Sequence, residues 1–139
     1  NWEQIRQRAL RGEDDISRTG GVFNINHLPG IKMENEEIPF EIEHGGNAFM
    51  MIRRDCFEKL APHTPYYTNG GASLPDGEKI LDFFRVEIDK EKNHLLSEDY
   101  FFCSSYRKIG GKVFCAPYVQ AGHFGSHLFN GHYALSQKV

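Results

Sequence analysis

At 139 residues, 40% of them hydrophobic, the chain is long enough for one real core and makes one domain or part of one. Sixteen Lys and Arg against nineteen Asp and Glu leave a formal charge of −3, which argues against a nucleic-acid or membrane-surface partner recruited by bulk charge. No apolar run approaches the roughly 20 residues needed to span a bilayer, and no signal peptide is evident.

Asn1 to Arg11 is expected to be helical, with Trp2, Ile5 and Leu10 on one face and Gly12 as its end. The start on Asn1-Trp2 without a methionine is expected of a chain trimmed from something longer. Glu13-Asp14-Asp15 follows Arg11-Gly12 and reads as a solvated turn or the next helix start. Thr19 to Pro39 is glycine-punctuated and extended. Within it Gly21 to Asn26 alternates as a half-buried strand does, Val22 and Asn24 on one face, Phe23 and Ile25 on the other. Pro29-Gly30 is a turn signal, and Glu34 to Glu37 a solvated loop tip.

Phe40 to Glu43 alternates again and leads into His44-Gly45-Gly46. The continuous apolar run Ala48 to Ile52 suits a strand buried on both faces of an α/β sheet. Glycines before such a strand either let backbone approach a ligand or make an ordinary bend. Arg53 to Asp55 turns the chain, and Cys56, Phe57 and Leu60 begin a short helix closed by Pro62. Thr64 to Asp76 is the expected flexible stretch. Tyr66 and Tyr67, beside glycines, have the apolar face and polar edge that suit a sugar ring, and suit the rim of a core equally. Asp82 to Ile88 reads as a strand and Lys90 to Asn93 as a polar turn.

Ser97 has a hydroxyl suited to capping a helix, with Glu98 and Asp99 in the first turn, where the macrodipole favours carboxylates. Phe102, Tyr106 and Ile109 give the apolar face, Arg107 and Lys108 fall in the last turn, and Gly110-Gly111 is the stop. Glu98 and Asp99 diverge by ~100°, so only one points squarely into a site. Lys112 to Ala116 reads as a strand and Ala121 to His127 as a glycine- and histidine-rich loop, in which the glycines oppose a helix. An acidic pair at the start of the helix and His123 past the next strand could meet at one site; the other reading is exposed helix-start charges and a loop histidine hydrogen-bonded to backbone. Three cysteines fit no zinc spacing, and free buried thiols in a reducing compartment, the cytoplasm, are expected.

Ser97-Glu98-Asp99-Tyr100-x-Phe102-Cys103, the Gly-Gly turn, the short strand and Gly122-His123-x-Gly125 together resemble the second half of a GT-A glycosyltransferase that uses nucleotide sugars. Gly45-Gly46-Asn47-Ala48-Phe49-Met50-Met51-Ile52-Arg53-Arg54 is similar to that family's central strand with its preceding small-residue loop. The specific likeness covers about residues 43–54 and 95–131. It implies an α/β fold, residues 1–139 being the C-terminal part of a Rossmann-like GT-A domain with a mixed sheet. It further implies inverting transfer of a sugar to an acceptor hydroxyl of a glycan, lipid or protein, with Asp99 as general base and Glu98 supporting it or binding acceptor. Gly45, Gly46 and Asn47 would hold sugar or acceptor. His123 would bind a divalent metal, Mn²⁺ or Mg²⁺, or contact the diphosphate. The family's Asp-x-Asp motif would lie in an N-terminal half of the same domain, since Glu13-Asp14-Asp15 follows no buried apolar strand. A non-catalytic carbohydrate- or metal-binding module built on the histidines and exposed aromatics is the other reading.

Overall fold

The computed structural model describes residues 2–12, 23–68, 70, 77–124 and 128–132, with only the backbone of Trp2, Gln4, His123, Phe124 and residues 128–132. The described chain is a mixed α/β protein of small sheets. It divides into two compact units, Asn1–Ile42 with Phe114–Val139, and Glu43–Val113.

The first unit opens with helix α1 (Trp2–Leu10), which Gly12 ends at φ +71°. Its inward position is Arg8, which is buried, while Leu10 is 72% exposed, against expectation. The reason is angular. Leu10 lies five residues beyond Ile5, about 140° around the helix, whereas Arg8 lies three beyond it and shares its face. Strand β1 (Ile25–His27) starts later than the alternation placed it, and Gly30 at φ +79° completes a turn in which the Ile31 N–H reaches the Leu28 carbonyl at 3.1 Å. Strand β2 (Phe40–Gly45) follows, and its alternation holds: Phe40, Ile42 and His44 are buried. The His27 ring stacks on Phe40, 5.6 Å between centroids.

The second unit corrects the largest expectation. Ala48 to Ile52 is not a buried strand. Asn47–Phe49 forms a 3-10 turn, Phe49 is 75% exposed and Met51 96%. A run of apolar residues makes a core strand only where other layers cover both faces, and here the chain turns at Asn47, whose N–H is held by a side chain distant in sequence. Helix α2 (Arg54–Leu60) passes into a 3-10 turn, Ala61–His63, that contains Pro62. The Tyr66-Tyr67 region, expected to be loop, includes strand β3 (Tyr66–Thr68), antiparallel to β4 (Lys79–Leu81), with Tyr66 opposite Leu81. The strand expected over 82–88 is confined to β5 (Glu87–Asp89). It pairs antiparallel with β6 (His94–Leu96) across a polar turn in which Asn93 takes φ +51°.

Helix α3 (Glu98–Lys108) matches its expected limits closely. Its inward residues are Asp99, Phe102 and Cys103, one helical stripe. Phe102 meets Phe84 (4.8 Å between centroids, stacked) and Phe57 (5.5 Å), and Phe57 meets Phe83 edge-on at 5.1 Å. Of these rings Phe102 is buried, as is Leu60, while Phe57 and Phe83 are half-buried and Phe84 is 41% exposed. The helix stops as the two glycines dictate. Gly110 sits at φ +85°, its N–H reaches the Arg107 carbonyl at 2.9 Å, and the Gly111 N–H reaches the Tyr106 carbonyl at 2.9 Å.

Strand β7 (Val113–Cys115) follows and joins β1 and β2 in a sheet of order β1-β2-β7. The segment expected as a histidine-bearing loop is instead largely strand. Strands β8 (Gln120–Phe124) and β9 (Leu128–His132) form an antiparallel hairpin with His123 opposite Phe129. Residues 125–127, His127 among them, and the acidic run Glu13-Asp14-Asp15 lie outside the described residues.

Candidate functional site

The polar centre of the second unit is Asp99, 7% exposed on the core-facing stripe of α3. Its carboxylate accepts three hydrogen bonds. Oδ1 receives the Ser97 hydroxyl and the Tyr100 N–H at 2.7 Å, and Oδ2 receives the Asn47 N–H at 3.3 Å. An ionised carboxylate has about four acceptor positions, and these bonds fill three of them.

The structure thus brings together two of the expected site residues, Asp99 and Asn47. It also ties Gly45 to the same helix, since the Cys103 thiol, wholly buried, donates to the Gly45 carbonyl at 3.9 Å. Gly46 is extended (φ −68°, ψ 147°) and half-buried, and the Asn47 side of the loop is exposed. Glu98, one residue round the helix from Asp99, is exposed, as the ~100° divergence requires. Tyr66 and Tyr67 are exposed on β3, and the Lys79 ammonium lies 4.2 Å from the Tyr66 ring centroid. His123 belongs to the other unit, and its side chain lies outside the described residues.

Beside Asp99 stands a pair that the residue pattern alone did not single out. The His44 and Tyr100 rings stack 5.0 Å apart at 15°. Burial lowers the His44 pKa from its ordinary value, with Lys92 and Arg107 acting the same way and Glu43 and Asp99 opposing. Burial also raises the Tyr100 pKa, helped by the Asp99 charge, and raises that of the Cys103 thiol. A signal for His44 does exist in the sequence: it continues the inward series Phe40, Ile42 in β2.

Cys56, Cys103 and Cys115 are free thiols, and burial pushes Cys115 up to about 11. Among the described residues there is no group of three or more His, Cys, Asp or Glu that could hold a metal ion. No described helix is long and apolar enough to cross a membrane. The chain matches no family model, no curated protein and no solved structure.

Proposed function

We propose that the chain is the acceptor-side half of a GT-A glycosyltransferase domain, moving a sugar from a nucleotide-sugar donor to an acceptor hydroxyl with inversion. One observation carries the reading. The carboxylate that the resemblance assigns as base is Asp99, and it is bonded to the backbone of Asn47, in the loop that the resemblance assigns to sugar or acceptor. A base must be held within ~3 Å of the hydroxyl it deprotonates, and a buried carboxylate with three fixed donors meets the requirement for rigidity. Asp99 then takes the proton as the hydroxyl oxygen attacks the anomeric carbon and the nucleoside diphosphate departs. Exposed Glu98 is free to bind acceptor. Gly45 and Gly46 shape the loop, and Tyr66 and Tyr67 offer ring faces to a glycan acceptor.

The divalent ion, with His123 as ligand, and the N-terminal half carrying the Asp-x-Asp motif belong to the proposal through the resemblance. When bound, such an ion would neutralise charge on the departing diphosphate. Three free thiols support a reducing compartment such as the cytoplasm. The exposed tyrosines of β3 favour a second reading, a carbohydrate-binding module without turnover. Incubating the full-length protein with a panel of nucleotide sugars, with Mn²⁺ or Mg²⁺, separates the two. Donor turnover that Asp99→Asn abolishes supports the enzyme; glycan binding with no turnover of any donor supports the module.

A further inference from the structure

We infer that Ser97 is a positioning residue for the Asp99 carboxylate rather than a helix cap. The inference rests on the proposed role of Asp99 only for its catalytic consequence. Ser97 occupies the N-cap position of α3 with the extended backbone usual there (φ −64°, ψ 167°), yet its side chain caps no backbone N–H. An N-cap serine ordinarily accepts a hydrogen bond from the first turn. Here the hydroxyl donates instead, to Asp99 Oδ1, and a serine has one proton to give.

That bond fixes how the carboxylate faces the loop. Without it, Oδ1 keeps only the Tyr100 N–H, a contact to the neighbouring residue that tolerates rotation of the carboxylate plane. The Asn47 N–H at 3.3 Å is the longest of the three bonds and the first to fail when the plane turns. Ser97 therefore holds Oδ2, and with it the carboxylate proposed as base, against Asn47.

The test uses the full-length protein and two independent readouts. In Ser97→Ala, hydrogen exchange at the Asn47 amide quickens by about tenfold, the size expected for losing one bond to a charged group. In glycosyl transfer the same variant loses about tenfold in kcat with donor KM unchanged. Ser97→Thr, which keeps the hydroxyl, retains both wild-type values. Unchanged exchange at Asn47 in Ser97→Ala overturns the inference, as does equal loss in Ser97→Thr. Full turnover by Asp99→Asn would overturn the catalytic reading alone, because the exchange result does not depend on turnover.

Discussion

Asp99→Asn keeps the shape of the side chain but replaces a carboxylate that accepts three bonds by an amide with one acceptor oxygen. One donor must go unmatched, so a stability loss of about 1–3 kcal/mol is expected whether or not the enzyme reading holds. Turnover discriminates. As general base, Asp99 is worth on the order of 10²–10⁴-fold in kcat with donor affinity little changed, whereas steady-state kinetics would show near-normal kcat for a purely structural carboxylate. His44 provides the second test at this scale. Its folded pKa lies below the ordinary 6.5, so below that pH the unfolded chain binds more protons than the folded one. Its contribution is fully present above the ordinary value and is lost as pH falls through it toward the folded value. His44→Phe keeps a ring against Tyr100 and cannot titrate. Melting curves between about pH 7.5 and pH 5 should therefore fall less steeply for the variant, by at most about 1.4 kcal/mol per pH unit. Equal slopes would show that His44 does not control acid sensitivity.

Among the elements, α3 was legible because its signals are local: the Ser97 start, the acidic first turn, the apolar stripe and the glycine stop all lie within one stretch. The stop can be tested directly. A Cβ on Gly111 would stand 2.4 Å from the Tyr106 ring, so Gly111→Ala should cost about 1–3 kcal/mol, and most of that should vanish in a Tyr106→Ala background. Denaturant titration of the two single variants and the double variant reads the coupling. Phe102→Ala, at the junction of the Phe57 and Phe84 rings, should cost about 3–5 kcal/mol by the same measurement. What was not legible depended on partners distant in sequence. The 48–52 run has the composition of a core strand, and only the bond from Asn47 to Asp99 and the lack of burial at Phe49 and Met51 show otherwise. The partnership of Asp99 with the Asn47 backbone is likewise invisible in residue identity, because any residue but proline supplies that N–H. Strand β6 escaped notice because three residues, two of them exposed, carry no alternation to read.

At the scale of the whole molecule, Gly45, Gly46, Asn47, Tyr66, Tyr67, Glu98 and Asp99 belong to one unit and His123 to the other. The His123 proposal calls for a test that leaves the fold alone. In the full-length protein His123→Ala should raise the Mn²⁺ concentration needed for half-activation by at least on the order of tenfold, with the melting temperature nearly unchanged. An unaltered metal titration would remove His123 from the site.

The neighbouring positions of β2 and β7 in one sheet bear on how the chain reaches its fold. Residues 46–112 separate them, so their pairing must close one long loop before it gains any ladder bond. Within that loop the β3–β4 and β5–β6 hairpins and helix α2 need only short-range contacts. The expected order of events is therefore inner elements first and the β2–β7 ladder last. Stopped-flow measurements should give a φ-value below about 0.3 for Ile42→Val in β2 and above about 0.5 for Phe102→Leu in α3. On this order, the bond between Asn47 and Asp99, which joins residues 52 apart just past β2, forms late, with the ladder rather than with the hairpins, so the loop is fixed only as the chain completes its fold.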